Sequence, residues 1–259
     1  MDTLVMKFGG ASVATPQHFE RIASIVIEKQ KRHKRTIVVV SAMGKTTDEL
    51  ISLAKQVHPN PPRREYDMLV SVGERISISL LAMALHLRGC EAISFTGSQT
   101  GIITSEQHSE ARIVDLRPDR LMPHLDNGQV VIVAGFQGVS RSKQITTLGR
   151  GGSDTSAVAL GVSFQAQVEF YKDVPGVFSH DPKCYPDAKH FASLTYDEAL
   201  DIANGGAKVL HPRAVELAKR NAVPLRVLSF LEEGGAKQTI IGSEKASRPP
   251  APLFEVTDG

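Results

Sequence analysis

A chain of 259 residues, 41% hydrophobic and 22% charged, is long enough to bury a substantial core as one large α/β domain or two small ones. A net charge of +2 argues against nucleic acid or an anionic membrane as the main partner. Cys90 and Cys184 lie far apart and in no metal-ligand spacing, which argues against zinc and for a reduced, cytoplasmic setting.

In chain order, Thr3 to Phe8 reads as a strand that runs into Lys7-Phe8-Gly9-Gly10-Ala11-Ser12-Val13. Glycines after a strand let backbone N–H groups approach an anion, and a helix starting near Thr15-Pro16 turns its positive end to the same spot. Lys7 adds a mobile point charge. The Walker pattern is absent. Phe19 to Lys31 has helical apolar spacing, and its basic run Lys29 to Arg35 reads as a solvated C-terminal turn. Thr36 to Val40 is a β-branched run of the kind buried in a parallel sheet, ending in the small-residue turn Ser41 to Gly44.

A helix is expected over Thr47 to Val57, then a proline break, then a long helix or broken pair over Glu65 to Leu87. Strands are expected at Ala92 to Phe95 and Val130 to Ala134, and a hairpin flap between Gly135 and Leu148. A second glycine-rich turn, Leu148 to Gly152, opens a helix with Ser153 and Asp154 as N-cap candidates. Gln167 to Tyr171 is a strand, Tyr196 to Ala203 and Ala207 to Arg220 are helices, and Pro224 to Ser229 and Thr239 to Ile241 close the sheet. No run approaches membrane-spanning length, no secretory signal is evident, and the nine histidines form no metal-binding pair.

This alternation predicts a three-layer αβα sandwich with a largely parallel central sheet. Ligands in such sheets collect beyond the carboxyl ends of the strands. The turns at 9–12, 41–44, 135–138 and 149–153 all fall there, which points to a phosphate-bearing ligand.

Motifs along almost the whole chain sharpen this. They are Lys7-Phe8-Gly9-Gly10-x-Ser12-Val13, Val72-Gly73-Glu74-Arg75, Phe95 to Gln99, Gly135-Phe136-Gln137-Gly138, Thr146 to Asp154, Asp173 to Val177 with Asp181-Pro182, and Gly206 to Pro212. With them the chain resembles the amino acid kinase family, and within it the aspartokinase catalytic domain. The short proline-rich link before Glu65 is similar to the branch found in certain Gram-positive bacteria.

The resemblance implies phosphorylation of the side-chain carboxylate of L-aspartate by ATP, with Mg2+ bound mainly through the nucleotide phosphates. That is the first step towards lysine, threonine and methionine or diaminopimelate. It implies Lys7 on the phosphates and Asp154 holding the phosphate-binding lysines. Aspartate would be bound by Arg150 at the α-carboxylate and Glu74 at the ammonium, with smaller contacts from Ser41, Thr47 and Ser153. Nucleotide contacts would come from Lys7, Gly9, Gly10, Ser12, Tyr171, Lys172, Asp173, Phe178, Lys183 and Lys208. A carboxylate is already nucleophilic at neutral pH, so positioning and electrostatics must supply most of the rate.

On this likeness residues 1–160 bind the amino acid, 161–245 the nucleotide, and 246–259 form a tail or linker. A homodimer is expected. The stretch Leu228 to Gly235 departs from relatives that carry a lysine near Leu231. Paired ACT regulatory domains are also expected to be missing, leaving a catalytic fragment, a regulator-less enzyme or a subunit served by a separate regulatory chain. In each case the chain alone should be insensitive to lysine and threonine. The competing readings are a glutamate or N-acetylglutamate kinase of the same fold, and a catalytically silent amino-acid- or nucleotide-binding regulator.

Overall fold

The computed structural model describes residues 2–206, 209–231, 237–242 and 247–255. Its first half contains strand β1 (Thr3–Phe8), helix α1 (Pro16–Gln30), β2 (Arg35–Val40), α2 (Thr46–Val57), α3 (Arg63–Val70), α4 (Val72–Leu87) and β3 (Ala92–Phe95). There follow α5 (Gly97–Thr100), β4 (Ile102–Thr104), β5 (Ile113–Leu116), α6 (Met122–Asp126), β6 (Val130–Ala134), β7 (Gln137–Ser140), β8 (Ile145–Thr147) and α7 (Gly152–Ser163). The rest comprises β9 (Gln167–Lys172), β10 (Val177–Phe178), β11 (His190–Phe191), β12 (Ser193–Leu194), α8 (Tyr196–Asn204), α9 (Pro212–Arg220), β13 (Leu225–Ser229) and β14 (Gln238–Ile241).

The main sheet runs β12-β14-β13-β9-β1-β2-β6-β3 and is parallel except where β13 meets β14. The chain therefore has the expected three-layer α/β architecture, with helices on both faces of a largely parallel sheet. Alternation along β1 divides the core. Leu4, Met6 and Phe8 face the layer that contains α1 and α4, while Val5 faces the layer of α7 and α9. Because Lys7 shares the parity of Val5, it too points towards α7. In the parallel register Phe8 sits beside Tyr171, and their rings stack with centroids 4.6 Å apart on the α1 side.

Helix α7 is buried on nearly all sides, as its run of Ala, Val and Leu requires. A smaller sheet, β5-β4-β7-β8, caps the carboxyl end of the main one and includes the hairpin expected between Gly135 and Leu148. The helix expected over Glu65 to Leu87 is the broken pair α3–α4. Together, Arg63–Leu87 has the length and apolar content of a membrane-crossing segment, contrary to the sequence expectation. However, Ile78, Leu81 and Leu85 are buried against α1 and the sheet, and Asp67 and Glu74 are buried as well, so it reads as a core helix pair.

Two boundaries move. Helix α9 begins at Pro212, not Ala207: proline fits the first helical position, and His211 stands at the cap. Helix α7 is capped by neither Ser153 nor Asp154. The cap is Gly151, at φ 72°, and both side chains lie inside the first turn. The segment expected to be a tail is tied down at its described end, where Leu253 bonds Asn221 and Glu255 bonds Ile113 and Arg213.

Candidate active site

Three charges from distant parts of the chain meet at the carboxyl end of β1. Lys7 Nζ lies 2.5 Å from Asp154 Oδ1, and Lys172 Nζ lies 3.5 Å from Asp154 Oδ2. Strand parity explains the meeting. Lys7 and Lys172 project from neighbouring strands on the α7 face, and α7 presents Asp154 in its first turn. Burial raises the Asp154 carboxyl, but the Lys172 and Lys7 ammonium groups more than offset this and hold it at about 2. Burial lowers Lys172, helped by repulsion from Lys7 and opposed by Asp154. Two ammonium groups share one carboxylate, so the cluster keeps an excess of positive charge beside the N-terminus of α7. Such a floor attracts phosphate oxygens.

On one side of this floor opens a cleft of about 980 Å³ lined by Ser41, Thr47, Glu74, Arg150 and Ser153 along with Lys7 and Asp154. The turn at 41–44 packs on the first glycine loop, with Gly44 N–H donating to the Gly10 carbonyl. Gly73 brings α4 against that turn: a Cβ there would lie 2.7 Å from the Ala42 methyl. This close approach seats Glu74, whose Oε1 accepts the Ala42 N–H at 3.2 Å. Its Oε2 is buried and, among the described residues, has no hydrogen-bond partner. Burial pushes the Glu74 carboxyl up to about 8, against the opposing pull of the Ala42 amide and Gln137. A salt bridge to Arg75 is not what occupies it. Arg150 is exposed at the opposite rim, and no protein partner holds its guanidinium among the described residues. The cleft therefore offers an acceptor aimed at a cation and a planar donor aimed at a carboxylate.

On the other side lies a second cleft, of about 610 Å³, lined by Lys172, Asp173, Phe178 and Lys183. Lys183 pairs with Asp173 at its rim, which lowers the Asp173 carboxyl and raises the Lys183 ammonium. Phe178 stands edge-on to His190, with centroids 5.1 Å apart.

Some expected contacts are not brought in. The Tyr171 side chain is buried under Phe8 on the far face of the sheet, its hydroxyl donating to Glu169 at 2.7 Å, so it faces neither cleft. The Ser12 hydroxyl is spent on the Tyr171 carbonyl at 3.1 Å and anchors the glycine loop. Gly10 lines the first cleft; Gly9 lies beneath Lys7, its missing Cβ 3.5 Å from Nζ. Lys208 lies outside the described residues.

The structure also adds residues that sequence reasoning overlooked. His211 covers Gly151, where a Cβ would come within 2.0 Å of the imidazole Cγ, and burial lowers its pKa. Tyr66, Ser109 and Phe136 join the lining of the first cleft. Phe136 falls within a quoted motif, but Ser109 sits in a loop with no periodic signal.

The model of the amino acid kinase family matches residues 2–229. The chain is 52% identical to an aspartokinase of Geobacillus stearothermophilus over 233 residues, which are 90% of this chain and 57% of that protein. The solved aspartate kinase from Synechocystis superimposes with a TM-score of 0.83 at 46% identity, covering 95% of this chain and 40% of that one. Aspartokinase III of E. coli, solved with aspartate and ADP, gives 0.82 at 28% identity, covering 93% and 65%. The chain spans a little over half the length of the curated relatives it matches. Its sequence, its sheet order and its two clefts about a shared lysine floor agree, and the chain belongs to the amino acid kinase family.

Proposed function

We propose that this chain carries out aspartate kinase chemistry. The side-chain carboxylate of L-aspartate attacks the γ-phosphorus of ATP, the bond from that phosphorus to the β,γ-bridging oxygen breaks, and ADP leaves 4-phospho-L-aspartate behind. The observation that carries this reading is the Lys7–Asp154–Lys172 cluster between two clefts, of which the first offers, among the described residues, both a buried carboxylate oxygen without a hydrogen-bond partner and an exposed guanidinium. Glu74 suits a free ammonium and would reject an acetylated amine, which favours aspartate over N-acetylglutamate.

In this reading Arg150 takes the α-carboxylate and Glu74 the ammonium, with Ser41, Thr47 and Ser153 filling in. The β-carboxylate is then directed at the lysine floor. Lys7 and Lys172 neutralise the phosphate oxygens so that two anions can approach, and Asp154 keeps both ammonium groups oriented. The second cleft takes the nucleotide, with Phe178 along its wall and Asp173 and Lys183 at its rim. Residues 1–160 thus serve mainly the acceptor and 161–245 mainly the donor. Among the described residues no three His, Cys, Asp or Glu side chains converge as metal ligands, so Mg2+ is assigned to the nucleotide phosphates. When bound there it supplies charge neutralisation on the transferring group.

The reading extends to setting and assembly. Both cysteines are free thiols, as suits a cytoplasmic protein working on ATP. Val72, Ile76, Met83 and Leu87 form an exposed apolar stripe along α4, which supports pairing with a second copy of the chain.

The test is a hydroxamate assay for acylphosphate with MgATP and, in parallel, aspartate, glutamate and N-acetylglutamate. Product from aspartate in clear preference is expected. Preference for either of the others, or no product at all, overturns the reading.

A further inference from the structure

Helix α3 carries a carboxylate that the chemistry above does not use. Asp67 is fully buried and takes five hydrogen bonds. Its Oδ2 accepts His108 Nδ1 at 2.7 Å, Ser109 N–H at 3.0 Å and Thr147 N–H at 3.2 Å. Its Oδ1 accepts the Thr147 hydroxyl at 2.6 Å and the Ser109 hydroxyl at 3.2 Å. A carboxylate so fully occupied has no capacity left for a metal or a reacting proton.

Its partners are what give it a role. Ser109 and Thr147 both line the acceptor cleft, and both adjoin the turn that ends in Arg150. Ala111 N–H donates to the Thr147 carbonyl at 3.0 Å, and the Ser109 carbonyl lies 3.0 Å from where a Cβ on Gly149 would stand. The turn therefore rests on the 109–111 segment, and Asp67 holds the two together. Ser109 is itself in the left-handed region at φ 68°, a conformation that strains a serine and persists only where its surroundings over-determine it. Asp67 supplies that constraint by taking both its N–H and its hydroxyl.

We infer that Asp67 is a positioning residue for the amino-acid side of the reaction. It fixes the Thr147–Arg150 turn against the Ser109 loop and thereby sets the affinity for the α-carboxylate of the acceptor. This rests on the aspartate kinase reading above.

The experiment is steady-state hydroxamate kinetics on the full chain, comparing wild type with Asp67→Asn, Arg150→Ala and the double variant. Asp67→Asn should raise KM for aspartate about tenfold while kcat and KM for MgATP stay within about twofold, the signature of lost binding geometry at one substrate. In the Arg150→Ala background the same change should shrink to under about twofold, because the two residues act through one contact. An equal rise in both KM values, an unchanged KM for aspartate, or full additivity with Arg150→Ala overturns the inference. If Asp67→Asn does not fold, His108→Ala removes one partly exposed donor. It should raise KM for aspartate about two- to threefold, and an unchanged value there overturns the inference too. A wild type that makes no hydroxamate from aspartate overturns the function reading and this inference with it. An active wild type with unaltered variants overturns this inference alone.

Discussion

Glu74 and Ala42 share a single hydrogen bond that uses one carboxylate oxygen and leaves the other buried without a partner among the described residues. With its pKa near 8, the side chain is mostly neutral at pH 7 in the free protein. An ammonium ligand favours the ionised form, so aspartate binding should release a proton between about pH 5 and 8. KM for aspartate should fall as pH rises, by up to about tenfold per unit, and flatten above 8. Calorimetric titration in buffers of differing ionisation enthalpy measures the proton directly. Proton uptake, or none, would contradict the assignment of Glu74 to the ammonium.

Replacing that carboxyl separates binding from stability. Because its folded pKa is raised, Glu74 contributes most below its unfolded pKa of about 4.5, and that contribution is lost as pH rises towards 8. Glu74→Gln should therefore melt no lower than wild type at pH 8. Its kcat/KM for aspartate should fall roughly ten- to a hundredfold through loss of the charged contact. A melting temperature well below wild type would mean that the carboxylate serves the core.

The lysine floor makes two further demands. Lys7→Ala should lower kcat on the order of a hundred- to a thousandfold, by analogy with removing one donor from an oxyanion site. Near-normal turnover would remove Lys7 from the mechanism.

Asp154→Asn leaves two buried ammonium groups without their counter-charge, a change that costs about 3 kcal/mol or more. The depressed carboxyl contributes stability above its unfolded pKa, and the contribution is lost as pH falls from about 4 to about 2. Urea melts at pH 7 and pH 2.5 should show the variant's deficit shrinking at the lower pH. An equal deficit at both would place its cause outside the charge cluster.

Gly151 offers a test of the turn that carries Arg150. Its φ is 72°, and an alanine methyl there would stand 2.0 Å from the His211 ring, so the site has no room for alanine. Gly151→Ala should cost about 2 kcal/mol or more from backbone strain and displacement of the ring. KM for aspartate should rise with it. A silent substitution, read by thermal melting and kinetics, would show that the imidazole moves aside freely.

The α4 stripe predicts self-association. Met83 is 65% exposed and Leu87 84% exposed on one flank. Met83→Glu should shift sedimentation from dimer to monomer by placing a charge in the apolar contact. A monomeric wild type would end the proposal.

Much of the main sheet is readable because Thr36 to Val40 and Val130 to Val133 are continuous β-branched runs of the kind a doubly covered sheet accommodates. Parity within β9 was equally available: Phe170 and Tyr171 must face opposite ways, so Lys172 and Tyr171 cannot both reach the α7 side. The family resemblance implies Tyr171 at the nucleotide, but this alternation turns its side chain to the α1 face. The small sheet was harder to see. Strands β4 and β5 have three and four residues, too few for a period; they pair with each other, and only β4 reaches a distant partner, β7. The cap of α7 was misassigned because Ser and Asp are the usual cap residues. Here the left-handed entry demanded glycine, which freed Asp154 to project into the lysine cluster.

The strand bearing Lys7 is clamped by parallel neighbours along both edges, with β2 on one side and β9 on the other. The backbone at that lysine cannot separate from its neighbours without tearing the centre of the sheet, so the amide hydrogens of β1 should exchange only through global opening. The residues at the rims of the two clefts have no such double pairing: the proline-rich lip before α3 at the first and the segment between β9 and β11 at the second. The charge cluster thus stands on the most firmly paired part of the sheet, and whatever enters either cleft meets a floor set before it arrives.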